Sequence, residues 1–122
     1  MIEENGVIIF EIETSAWLKN SYMYIPARMK QFFPDDCFIP RGTSKENAHL
    51  VNERGIKITY QGTNETSTCL LELRSSGVFR PSERGFIARF YSVNSARVGD
   101  TINIVRTAPR HFHVSLVGSI QR

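Results

Sequence analysis

Residues 56–60, Ile-Lys-Ile-Thr-Tyr, alternate apolar and polar side chains without a break. A period of two puts one set of side chains in a core and the other in solvent only when the backbone is a β-strand. Gly62, Thr63 and Asn64 follow as turn residues, and residues 67–73 run back as the second half of a hairpin. The same signature recurs along the chain. Residues 7–13 (Val-Ile-Ile-Phe-Glu-Ile-Glu) are β-rich, 101–106 alternate behind a tight turn at Arg97-Val98-Gly99-Asp100, and 112–117 supply a last strand.

Shorter strands are expected at 21–25 and 37–39, and the polar stretch 41–54 as a long connection containing one short strand. Helix has little room. Pro26 suits the first position of a helix, where its fixed φ and missing N–H cost nothing. Residues 27–33 then form about two turns, with Met29, Phe32 and Phe33 facing inward, and Pro34 ends them. Residues 86–91 fit a helix or a strand, because so short a run has no decisive period. The expected fold is mainly β, a seven-stranded open barrel with two short helices at its ends.

The 122 residues are enough for a single core, and one domain spanning residues 1–122 is expected. Hydrophobic residues at 41% exclude a disordered chain. No apolar run approaches the roughly 18 residues of a membrane span, and residues 1–5 have no basic leader before an apolar stretch. The expectation is a cytoplasmic protein without a membrane partner. Asn64-Glu65-Thr66 fits a glycosylation acceptor but reads as a turn in such a chain. Cys37 and Cys69 are too few for a disulfide scaffold and have no zinc-site spacing, so they read as small core residues.

Catalytic patterns are thin. His111-Phe112-His113 places two imidazoles on one face of a strand, but two ligands do not make a zinc site. Asp35-Asp36 resembles the opening of a nuclease metal motif, yet no acid here is followed two residues later by lysine. Glu72-Leu73-Arg74 comes nearest, and arginine cannot readily shed a proton to act as a base. The chain by itself is expected not to be an enzyme, and to need no metal or other cofactor.

Binding is better supported. Between Glu72 and Gly85 the chain carries Arg74, Arg80 and Arg84 among Ser75, Ser76 and Ser82, with Gly77 and Pro81 fixing the backbone. A guanidinium grips a guanine edge or a phosphate with two parallel bonds, and hydroxyls can donate to either. Eleven of the fifteen basic residues are arginine, in a chain of net charge +3. The alternative for this loop is a solvated basic turn.

Tyr24-Ile25-Pro26 with Phe32-Phe33-Pro34 behind it, and Gly99-Asp100 before a late strand, resemble the B3 family of DNA-binding pseudobarrels. The order of these blocks, together with the arginine loop ahead of Gly85 and an apolar run, is more similar still to the N-terminal effector and recognition domain of EcoRII-type restriction endonucleases. The resemblance spans roughly residues 7–117. It implies sequence-specific binding of double-stranded DNA, with two arms gripping the major groove. The N-arm falls on residues 15–22, with Ser15, Trp17, Lys19, Asn20 and Tyr22, and the C-arm on Arg74, Ser75, Ser76, Arg80, Ser82 and Arg84. Within the C-arm, Arg74 and Arg80 would read bases, while Arg84 at its foot would hold phosphate or the loop.

Phosphate contacts are expected among Arg28, Arg41, Lys45 and Lys57, and Trp17 either packs on DNA or anchors its loop to the core. The likeness further implies a partner, the catalytic nuclease domain of a parent enzyme, with Mg²⁺ needed only there. A short GC-rich palindrome such as CCWGG, or half of one, would be the kind of target. Two other readings stand beside this one: a barrel that stacks single-stranded nucleic acid, and a nuclease with an unfamiliar active site.

Overall fold

The computed structural model describes residues 6–118, so residues 1–5, on which the expectation about a leader rests, lie outside it. Eight strands form two sheets. The larger sheet contains β1 (Val7–Glu11), β3 (Ile56–Tyr60), β4 (Thr66–Cys69), β7 (Thr101–Ala108) and β8 (His111–Val117), in the order β1-β7-β8-β3-β4. All its pairings are antiparallel except β3 with β8, where Ile58 lies opposite Phe112. The smaller sheet has the order β2-β5-β6, from β2 (Phe38–Ile39), β5 (Leu71–Leu73) and β6 (Phe79–Pro81).

Alternation decides which face is buried. Ile8, Phe10, Ile56, Ile58, Tyr60, Ile102, Ile104, Phe112 and Val114 all point to one side of the larger sheet and are buried there. Phe33 sits where the sheets meet, its ring 5.6 Å from Phe79 of the smaller sheet and 4.9 Å from Phe112 of the larger. The helices are α1 (Ser15–Asn20), α2 (Val51–Arg54) and α3 (Arg84–Val93), with 3-10 turns at 27–32, 35–37, 48–50 and 75–77. In α3 the apolar residues Ile87, Phe90 and Tyr91 recur at helical spacing and face the core, so the ambiguous run at 86–91 is helix.

The fold is mainly β, as expected, and four details change. Among the described residues there are eight strands in two sheets where seven strands were expected, and three helices where two were expected. Residues 21–25 are extended but form no ladder: Ser21 is left-handed (φ 58°), Pro26 lacks a donor, and only Ile25 bridges to Phe79. Residues 41–54 contain no strand, since the turn at 48–50 passes directly into α2. Residues 67–73 are not one hairpin arm, because the chain changes sheets at Leu70. There Ser82 takes over both polar groups: its Oγ accepts from the Leu70 N–H (3.2 Å), and its own N–H donates to the Leu70 carbonyl (2.9 Å).

Cys37 and Cys69 are buried free thiols, and burial pushes each up to about 12 from an ordinary 9.0. Above the ordinary value the unfolded chain loses these protons while the folded chain keeps them, so stability should fall as pH rises from 9.0 toward about 12. Urea midpoints across that range check the sign. At pH 8 a thiol reagent should react only as fast as the chain unfolds, and immediate labelling of the native protein would contradict the burial.

Candidate nucleic-acid interface

The arginine-rich segment folds as the β5–β6 hairpin. Its tip is Ser75–Gly77, closed by the Arg74 N–H to the Val78 carbonyl (2.8 Å), and Ser76 and Gly77 both have positive φ. Gly77 lies against Ala27, where a Cβ would meet the alanine methyl at 3.2 Å. The tip therefore rests on the 27–32 turn. Arg74 sits at its base, Arg80 in β6, and Arg84 at the start of α3.

Glu72 of β5 is 4% exposed and lies at the centre of the segment. One oxygen, Oε1, is 3.4 Å from Arg74 Nη1 and 3.4 Å from both Nε and Nη2 of Arg80; the other, Oε2, accepts from the Gly42 N–H at 2.7 Å. A buried carboxylate persists in a fold only with such partners. The Arg80 guanidinium also lies 4.8 Å from the Tyr22 ring centroid and 6.0 Å from that of Tyr24. Arg84 stacks on Tyr22 as well, at 5.6 Å, and donates to the Asn20 carbonyl at 3.4 Å. Tyr22 is held from behind, its carbonyl accepting from the Tyr91 hydroxyl.

The two segments singled out in the sequence thus meet. Residues 15–20 are helix α1, ended by Ser21, and Lys19 and Asn20 project at its exposed end. Lys19, Asn20, Ser21, Arg84 and Gly85 line a cleft of about 330 Å³ between α1 and α3. Ser15 is exposed at the far end of α1, whereas Trp17 is buried at 5%, edge-on to Tyr24 and against Phe10, where it anchors the helix. Ser75 and Ser76 are exposed at the tip, while Ser82 is half-buried and bonded to Leu70.

The expected phosphate contacts divide. Arg41 joins the cluster by donating to Ser75 Oγ at 2.9 Å, and Lys45 is exposed in the same loop. Arg28 is exposed on the 27–32 turn, beside a small cavity shared with Trp17, Tyr24 and Val78. Lys57 lies on the outer face of the larger sheet opposite Thr68 and His111, away from the arms. The connection to Gly42 and the aromatic support from Tyr24 were not foreseen. The available signal was Glu72 itself, a carboxylate between two leucines in a run of arginines.

His111 and His113 occupy one face of β8, and Asp36 is paired with Arg110 at 2.9 Å. Among the described residues no group of three or more His, Cys, Asp or Glu is placed to hold a metal ion, and no helix is long and apolar enough to cross a membrane.

The chain matches no protein-family model and no curated protein by sequence. Among the solved structures similar to it are the following two. The first is the hypothetical Arabidopsis thaliana protein At1g16640.1, at 15% identity and TM-score 0.51, over 98% of this chain and 99% of that one. The second is the N-terminal domain of Helicobacter pylori LlaJI.R1, at 11% identity and TM-score 0.54, over 91% of this chain and 86% of that one. The chain therefore shares the fold of these two proteins, and that fold is the B3-like one its Ile-Pro and Gly-Asp blocks resemble.

Proposed function

We propose that this chain binds double-stranded DNA sequence-specifically, with the end of α1 and the β5–β6 hairpin entering the major groove. The observation that carries the reading is the convergence of Lys19, Asn20, Tyr22, Arg74, Arg80 and Arg84 on one surface, braced by Glu72. Arg74, 22% exposed beside the tip, forks onto a guanine edge in this reading. Lys19, Arg84 and Arg41 hold phosphates and fix the register. Arg80, stacked and 13% exposed, supports the others.

In a parent restriction endonuclease the domain selects a site or holds a second copy that activates cleavage. The nuclease domain is its partner and the only part that needs Mg²⁺. Plasmid incubated with this chain and Mg²⁺ should stay intact; cleavage would favour the nuclease reading. The single-strand reading requires exposed rings on which bases stack. Among the described residues the large exposed apolar side chains are Ile9, Val93, Val98 and Val117, none of them aromatic.

Selection from a random duplex library tests the proposal. One enriched motif is expected. Arg74→Ala should then cost about 1–3 kcal/mol and relax one position, whereas Lys19→Ala should weaken every duplex and lower the salt slope by about 1. Preference for single strands over all duplexes would sink the reading.

A further inference from the structure

We infer that Glu72 is a positioning residue for sequence recognition, because it fixes the loop of residues 40–47 as a third segment of the interface, in register with the hairpin tip. The inference rests on the duplex-binding reading above. A contact of 2.7 Å from the Gly42 N–H to a buried carboxylate is short and charge-assisted. Among the described residues it is the one hydrogen bond of Glu72 that leaves the hairpin, since Arg74 and Arg80 both belong to it.

The conformation of Gly42 serves this bond. Its φ is +74°, yet a Cβ there would meet nothing within 4 Å. Glycine is therefore required for backbone direction, not for space, and that direction turns the N–H inward to Glu72. Arg41, one residue earlier, reaches the tip through Ser75, giving the loop a second tie. Within the loop, Thr43 Oγ1 donates to the Pro40 carbonyl (2.6 Å) and Asn47 Nδ2 to the Thr43 carbonyl (3.0 Å).

The exposed Arg41 and Lys45 are thus held at a set distance from Arg74 and Ser76. An untethered basic loop adapts to any phosphate spacing and adds affinity alone. A tethered one favours the backbone geometry in which the arms fit their bases, and so adds specificity. Glu72 does this without touching DNA; facing phosphates, its charge would repel them.

The test compares the parent chain with Glu72→Gln on the selected duplex and on an unrelated duplex of equal length. Glutamine keeps the size but removes the charge, so the Gly42 N–H loses its charge-assisted bond for a weaker neutral one and the two guanidiniums lose the group that orders them. Affinity for the selected duplex should fall about tenfold or more, while affinity for the unrelated duplex stays level or rises as one negative charge is lost. A purely structural role would lower both together. In a double-mutant cycle Arg41→Ala should cost several-fold in the parent and less than about twofold beside Glu72→Gln, and additive losses would overturn the inference.

Hydrogen exchange in the free parent needs no variant: the Gly42 amide should be protected, and exchange at the rate of an open loop would overturn the inference even if glutamine did not fold. A parent that prefers no duplex overturns the DNA-binding reading and this role with it. A parent that discriminates, beside a Glu72→Gln variant that discriminates equally well, overturns this role alone.

Discussion

Arg80→Ala is expected to reduce affinity for the selected duplex by about 10- to 100-fold, in line with 1–3 kcal/mol for a single recognition arginine, although the proposal gives Arg80 a supporting role and not base reading. Its guanidinium is shared between Glu72 and the faces of Tyr22 and Tyr24. Removing it takes away the stack that holds Tyr22 against the hairpin and leaves one oxygen of Glu72 with Arg74 alone. A buried polar group stripped of a partner costs on the order of 1–3 kcal/mol, and a charged one more, so folding stability should fall as well. Arg80→Lys separates charge from geometry: the ammonium keeps the charge but cannot reproduce the planar stack. It should recover most of the stability and little of the specific binding. Equal binding by parent and lysine variant would show that Arg80 acts through charge only.

Phe33→Ala has the largest expected effect on folding. The ring contacts Phe32, Phe38, Phe79 and Phe112, and so joins the smaller sheet to the larger. Truncating a buried phenylalanine costs about 3–5 kcal/mol, through lost transfer energy and the cavity left behind. Against a total of roughly 5–15 kcal/mol for a domain of this kind, that loss is a large share. Urea denaturation should show a lower midpoint with an unchanged slope, since the surface exposed on unfolding is nearly the same. A loss below about 1 kcal/mol would mean that the sheets are held together elsewhere.

Where side-chain alternation and backbone pairing coincide, as in β3, β7 and β8, the strands were legible in the sequence. Where they separate, they were not. Residues 21–25 carry the period because Met23 and Ile25 are buried, but burial of alternate side chains needs only an extended chain, not a partner strand. Residues 67–73 also read as one strand; the break at Leu70 depends on Ser82, twelve residues later, which no local pattern reports. The polar stretch 41–54 has no period, and its ordering comes from distant partners: Glu72 and Ser75 for Arg41 and Gly42, and Arg110, whose guanidinium reaches the Arg54 and Gly55 carbonyls.

The candidate site was legible as two clusters of suitable residues. That they act together was implied by the resemblance; the contacts that join them were not legible, because they rest on Tyr22 presenting its ring to Arg80 and Arg84 from across the fold. Nor could composition say that Trp17 is inside while Lys19 and Asn20 are outside; that follows from the short helix α1, whose left-handed end at Ser21 turns the chain toward Tyr22. Arginine-rich sequence marks a surface, and aromatic and carboxylate partners decide which arginines are free to use it.

Major-groove reading by the arms is tested most directly by dimethyl sulfate footprinting of the selected duplex with the parent chain bound. The reagent methylates guanine N7 in the major groove and adenine N3 in the minor groove. Protection of one or more guanine N7 positions is expected, with protection at one of them lost in Arg74→Ala while the rest persist. Protection confined to adenine N3, or a duplex bound with every guanine N7 still reactive, would contradict the account.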